Sequence, residues 1–153
     1  MIAAFVRAAL ALTVLLAAGC SFYMGEPRVP KTDLRANLNG SSEVPPTQSR
    51  GSGYFEAVYR PSTKVLEYQL NLVGLSGPIT MGYLHGPAGP GENADKVAPI
   101  NIPIYYYNSG IWDGVTLTGQ QAAEVLAGRW YVKVMTTQYP DREIRGQILP
   151  RSQ

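Results

Sequence analysis

The chain of 153 residues contains one cysteine and one histidine. A lone cysteine, Cys20, cannot form a disulfide within the chain. A lone imidazole, His85, gives little scope for a base-activated nucleophile, and no Gly-x-Ser-x-Gly elbow is present. Charged residues make up only 16% of the chain and the formal net charge is +2, with no basic run interleaved with aromatics. Nucleic acid is therefore not an expected partner. The segment Gly86-Pro87-Ala88-Gly89-Pro90-Gly91 is rich in glycine, but it holds two prolines and lacks a Lys-Ser/Thr ending, so it is not a phosphate loop. No carboxylate pair is recognisably placed for hydrolysis. Together these absences predict a protein that is not an enzyme and carries no cofactor.

What is present begins with an N-terminal export signal. Arg7 precedes an uncharged, mostly apolar run from Ala8 to Ala18, too short for a comfortable membrane span. The run ends Leu16-Ala17-Ala18-Gly19-Cys20, which resembles a bacterial lipoprotein lipobox, with Leu16 four residues before the cysteine instead of three. The resemblance implies cleavage after residue 19 and lipidation of Cys20. Acyl chains anchor a protein because each buried methylene contributes about 0.8 kcal/mol. Ser21 in place of Asp favours passage to the outer membrane of a Gram-negative cell, so a location at the cell envelope is expected, facing the periplasm or the cell surface. Residues 20–31, polar with Pro27 and Pro30, read as a tether, and residues 32–150 as one domain.

Within that domain apolar and polar residues alternate in short runs bounded by turn signals. Asp33–Leu38, Gly51–Tyr59, Lys64–Val73, Ile79–His85, Val97–Ile104, Val115–Thr118, Trp130–Thr136 and Glu143–Leu149 read as strands, Val97–Ile104 at an edge because Pro99 and Pro103 interrupt it. Tyr105 to Gly114 reads as an aromatic, turn-rich segment. Thr118-Gly119-Gln120-Gln121 has the spacing of a capping box, and Gly128 supplies a left-handed stop, which predicts one short helix. These short strands, with turn signals between them, argue for an all-β antiparallel sandwich. Its expected core is Leu66, Tyr68, Leu70, Leu72, Leu84, Trp130, Val132, Val134, Ile144 and Ile148.

Several pieces, in order, resemble the CHRD domain, the module named after chordin. They are Leu38-Asn39-Gly40 with Glu43-Val44-Pro45-Pro46, Gly51-Ser52-Gly53, Leu66-Glu67-Tyr68-Gln69-Leu70 with Gly74-Leu75, and Leu84-His85-Gly86-Pro87-Ala88. Leu117-Thr118, Leu126-Ala127-Gly128-Arg129-Trp130-Tyr131-Val132, Tyr139-Pro140 and Glu143-Ile144-Arg145-Gly146-Gln147 follow, so the resemblance spans Leu34 to Leu149. It implies an immunoglobulin-like or superoxide-dismutase-like β-sandwich. Members of the family often read His-x-His where this chain has Tyr83-Leu84-His85, and often carry a further His where this chain has Met135. Such histidines would resemble the copper ligands of copper/zinc superoxide dismutases.

Three groups of residues are candidates for function. Tyr83, His85 and Met135 point away from the core, and the trio is either a packed remnant or, alternatively, a soft copper site. Glu43, Glu143 and Arg145 form either a latch that ties the Glu43 loop to the last strand or a site for an anionic ligand. Tyr105, Tyr106, Tyr107 and Trp112 either pack a sandwich edge or present an aromatic surface to a glycan or protein partner. The expectation is a lipid-anchored, non-catalytic binding or structural module of the cell envelope. A copper-binding or redox-related protein is the alternative.

Overall fold

The computed structural model describes residues 30–103 and 110–151. The predicted signal, Cys20 and most of the tether lie outside these residues, as do Tyr105, Tyr106 and Tyr107.

Eight strands form the domain: β1 (Thr32–Asn39), β2 (Ser52–Arg60), β3 (Val65–Val73), β4 (Ile79–His85), β5 (Lys96–Pro99), β6 (Ile111–Thr116), β7 (Trp130–Thr136) and β8 (Ile144–Pro150). One helix, α1 (Gly119–Leu126), lies between β6 and β7, and a single 3-10 turn, Gly40–Ser42, follows β1. The strands bond antiparallel in the order β5-β4-β7-β8-β1-β2-β3-β6. A sandwich of two separate sheets would break this series. Here β8 pairs with β1, through Leu34 opposite Pro150 and Asn39 opposite Arg145, so one sheet folds over on itself. The two edges meet across the fold, where the amide of Asn101, just after β5, donates to Asp113 on β6 at 3.3 Å. The architecture is thus antiparallel β, one nearly closed sheet wrapped around one core.

The alternation visible in the sequence explains that wrap. On β1, Leu34, Ala36 and Leu38 are buried and the residues between them are exposed. On β2 and β3, Phe55, Ala57 and Tyr59 face inward with Leu66, Tyr68, Leu70 and Leu72. Because residues two apart share a face, each strand contributes one apolar row. Every residue expected in the core is buried, and the cluster joins β2 and β3 to Leu84, Trp130, Val132, Val134, Ile144 and Ile148 on the other half of the sheet.

The capping box forms as the sequence predicts. Thr118 Oγ1 accepts from the Gln121 amide at 3.2 Å, and Gln121 Oε1 accepts from the Thr118 amide at 2.9 Å. Gly128 ends the segment at φ +70, a left-handed conformation that side chains resist. Val125 and Ala122 bury the helix against the core, and Glu124 accepts from the Trp130 indole at 3.1 Å.

One boundary differs from the sequence reading. Ile111 to Gly114 belongs to β6 and not to a turn, because Leu70, Gln69, Tyr68 and Glu67 of β3 pair with Ile111, Trp112, Asp113 and Gly114 in register. A partner strand with unpaired backbone groups outweighs the local turn preference of Asp-Gly. The interrupted run after residue 96 contributes only the short β5.

Gly146 marks where the sheet closes most tightly. A Cβ there would lie 2.6 Å from the carbonyl oxygen of Asn37 on β1, and backbone cannot yield as a side-chain tip can. Gly146→Ala is expected to destabilise the domain by about 1–3 kcal/mol, the usual cost of overpacking. Urea denaturation measures this, and an unchanged midpoint would contradict the tight β1–β8 contact.

Candidate functional site

Strand β7 breaks the inside–outside rule. Tyr131 and Met135 are buried on its outer face, opposite Trp130, Val132 and Val134 on the inner face, and Arg145 is buried on the outer face of β8. Two loops contribute to this burial. One runs from the end of β1 towards β2 and carries Glu43; the other runs from Gly86 to Asp95. Asn93 of the second loop donates to the Val44 carbonyl of the first at 3.2 Å, which joins them.

The register of β4, β7 and β8 orders the side chains beneath. His85 lies opposite Tyr131, and Tyr131 opposite Gln147. Tyr83 lies opposite Lys133, and Lys133 opposite Arg145. The His85 ring stacks on Tyr131 with centroids 4.9 Å apart and 8° between planes. The Arg145 guanidinium carbon sits 3.5 Å from the Tyr131 centroid, a cation–π contact. The Tyr131 hydroxyl accepts from the Ala94 amide at 3.0 Å and donates to the Ala94 carbonyl at 3.2 Å. Arg145 Nη2 donates to Gly89 O at 3.1 Å, and Gln147 Nε2 donates to Ala88 O and Gly128 O. The Gly86–Asp95 loop is therefore pinned from below by Tyr131, Arg145 and Gln147, and by His85 through Ala94 O.

Several polar atoms in this layer have no hydrogen-bond partner: both carboxylate oxygens of Glu43, Nε2 of His85 and Nη1 of Arg145. His85 Nδ1 lies 2.9 Å from Ala94 O. A carbonyl only accepts, so the proton sits on Nδ1 and Nε2 presents a lone pair. Glu43 has an ionic neighbour in Lys133, 3.7 Å away, but no hydrogen bond. Burial pushes the Glu43 carboxyl above its ordinary value, against the pull of the Lys133, Arg145 and Arg142 charges and of the neighbouring Val44 amide, which lies outside hydrogen-bond geometry. Burial likewise lowers His85, and the nearby Lys133, Lys96 and Arg145 charges lower it further, so the ring is neutral at pH 7. A cleft of about 380 Å³ opens beside Glu43 and Arg145, bounded by Ser41, Ser42, Pro46, Pro90 and Gln147.

The three groups expected from sequence are placed differently from one another. Glu43 and Arg145 come together at this cleft. Glu143 does not join them; it accepts from the Ser49 hydroxyl at 2.6 Å, the Ser76 amide at 2.7 Å and the Thr136 hydroxyl. It thereby holds the loop before β2, the β3–β4 turn and the end of β7 together. Burial pushes its carboxyl up, but these hydrogen bonds outweigh that and hold it below the usual carboxylate range. The latch is Glu143, and Arg145 holds the Gly86 loop instead of pairing with Glu43.

The copper alternative does not fit this geometry. Met135 lies opposite Met81, while His85 lies opposite Tyr131 four residues along β7, which places them roughly 13 Å apart along the strand. The thioether that Tyr83 meets is that of Met81, at 3.0 Å from its hydroxyl. Tyr83, His85 and Met135 therefore do not share one coordination sphere. Among the described residues no group of three His, Cys, Asp or Glu comes together to hold a metal. Trp112 is 72% exposed on the edge strand β6; Tyr105, Tyr106 and Tyr107 lie outside the described residues.

Tyr131, Lys133 and Gln147 are the site residues that sequence reasoning missed. Alternation puts them on the outer face, which reads as solvent-facing until the covering loops are seen. A run of seven residues with no fully exposed position, β7, is the structural sign of two-sided burial. Its sequence signal is weak, because Lys133 and Tyr131 suit an exposed face equally well.

A family model for the CHRD domain matches residues 34–148. No curated protein and no solved structure matches the chain.

The two buried glutamates predict opposite pH behaviour. Glu143 titrates below its ordinary 4.5 in the folded state, so its stabilisation is complete above that value and lost as pH falls through the lower folded value. Glu43 titrates above 4.5 when folded, so its contribution is present at acid pH and lost as pH rises through the raised value. Thermal melts between about pH 3 and pH 7 separate them. Glu143→Gln is expected to cost about 1–3 kcal/mol at neutral pH and to flatten the acid decline. Glu43→Gln is expected to steepen that decline. A Glu143→Gln variant that melts like wild type at neutral pH would refute the clamp.

Proposed function

The chain belongs to the CHRD domain family, and from that premise we propose that it works as a non-catalytic binding module held at the bacterial cell envelope by a lipid on Cys20, with the Arg145–Glu43 cleft as its binding site for an anionic ligand. One observation carries the binding reading. Arg145 Nη1 and both Glu43 oxygens are buried without hydrogen-bond partners beside an open cleft. Buried polar atoms are almost always satisfied, and each one left without a partner costs about 1–3 kcal/mol. A ligand that supplies those partners recovers that cost on binding. Among the described residues Arg145 has no carboxylate within ion-pair distance, whereas Lys133, the other cation beside Glu43, has Glu43 at 3.7 Å. An anion is the complement of that charge.

The anchor rests on the sequence Leu16-Ala17-Ala18-Gly19-Cys20 after an apolar run. A tether of about a dozen residues then holds the domain close to the membrane surface. This places the cleft where envelope components are concentrated.

Two measurements test the proposal. Metabolic labelling with a clickable fatty acid is expected to mark the wild-type chain and not Cys20→Ala; label that persists in Cys20→Ala sinks the anchor. Sodium acetate, compared with chloride at equal ionic strength, is expected to raise the melting temperature of the purified full-length chain. The increment is expected to vanish in Arg145→Gln. An increment of the same size in Arg145→Gln would move the anion elsewhere and remove the cleft from the proposal.

A further inference from the structure

The polar inventory of the cleft is lopsided. Ser41 and Ser42 stand at its lip, and both hydroxyls donate to Asn39 Oδ1, at 2.7 and 2.9 Å. Each hydroxyl has a single proton, so towards the cleft both serines can only accept. The two oxygens of Glu43 also accept, and neither has a donor. Gln147 has no donor left: its amide nitrogen donates to Ala88 O and Gly128 O, and its oxygen accepts from Arg145. The side chain lining the cleft with a free donor is Arg145, through Nη1. The side chains of the cleft thus present one cationic donor, on Arg145, and four oxygen acceptors on Ser41, Ser42 and Glu43.

The ligand that mirrors this arrangement carries one negative charge and several hydrogen-bond donors. The donors are neutral, because Lys133 Nζ already stands 3.7 Å from Glu43 and would repel a second ammonium. A dianion such as phosphate ester would face Glu43 and brings no donors of its own. A peptide carboxyl terminus brings one amide N–H beside its carboxylate, too few for four acceptors. A polyhydroxy carboxylate brings one carboxylate and several hydroxyls. The volume, about 380 Å³, lies at the small end of ligand sites and suits one sugar ring. Pro46, Pro90 and Val44 supply apolar wall against which a ring's C–H face can lie.

We infer that the cleft binds an acidic sugar of the hexuronate class, its carboxylate on Arg145 Nη1 and its hydroxyls donating to Glu43 and to the oxygens of Ser41 and Ser42. The inference rests on the anion-site reading above and names the ligand chemistry of that same site. It also gives Glu43 a role: a buried carboxylate whose oxygens lack donors is an acceptor held ready for hydroxyls, with Lys133 as its ionic neighbour at 3.7 Å.

Titration calorimetry on the purified full-length chain tests this, with sodium glucuronate, glucose, acetate and N-acetylglycine as probes. Glucuronate is expected to bind more tightly than the other three, by about tenfold or more, since glucose lacks the carboxylate and acetate lacks the hydroxyls. Arg145→Gln is expected to weaken glucuronate at least tenfold. Arg145 also supports the Gly86 loop, so Glu43→Gln provides the second variant: it is expected to weaken glucuronate and not acetate. Glucuronate that binds no better than acetate, both depending on Arg145, overturns the sugar and leaves the anion site standing. N-acetylglycine that binds more tightly than glucuronate overturns it in favour of a peptide terminus. No saturable binding by any of the anions removes both the sugar and the anion site. Glucuronate binding unchanged in Arg145→Gln and Glu43→Gln places the sugar elsewhere and overturns the inference.

Discussion

The Tyr131 ring is the contact on which the functional half of the molecule depends. It receives His85 on β4 by stacking and Arg145 on β8 by a cation–π contact, and its hydroxyl is bonded in both directions to Ala94. Three strands and one loop are thereby tied through a single side chain. The tie places Arg145 close to backbone carbonyls of the Gly86–Asp95 loop, where Gly89 O can accept from it. An aromatic with a polar tip suits this position, since its ring is apolar enough to bury and its hydroxyl still finds partners. The outer face of the sheet so acquires a second, polar layer above the hydrophobic core.

Glu43 and Glu143 show how that layer divides its work. Both carboxylates are buried, yet burial raises one and hydrogen bonding lowers the other. The difference is the number of donors aimed at each. Glu143 meets two hydroxyls and an amide, and becomes a fixed joint between three segments. Glu43 meets the charges of Lys133, Arg145 and Arg142 but no donor in hydrogen-bond geometry. A joint is satisfied within the chain, whereas a binding group is left for something outside it. By that criterion Arg145 is divided, with Nη2 spent on the fold and Nη1 free.

Much of the fold was legible before the structure. The inward rows of β1, β2 and β3, the capping box at Thr118 and the stop at Gly128 follow from spacing, because these features depend on residues close in sequence. The start of β6 was not legible. Ile111-Trp112-Asp113-Gly114 reads as a turn, and only its pairing with β3, more than forty residues earlier in the chain, makes it a strand. The candidate site was half legible. The pairing of carboxylate with guanidinium puts Glu43, Glu143 and Arg145 in one group, Glu143 because it shares a strand face with Arg145, yet only Glu43 and Arg145 meet at the cleft. Met135 and His85 both lie on outer faces. Sharing a face says nothing about position along it, and the β4–β7 register separates the two by four residues.

Alternation and turn spacing by themselves determined the class of this protein: antiparallel β, one short helix and a single core. These properties arise from local periodicity, and periodicity survives in a string of letters. The tertiary structure alone decided which outer face is covered, which glutamate is clamped and which is left open, and that the sheet runs unbroken from β5 to β6. Those outcomes depend on register and on loops crossing from distant parts of the chain. A shift of two residues in one strand pairing would leave every inward row intact and would part Tyr131 from His85.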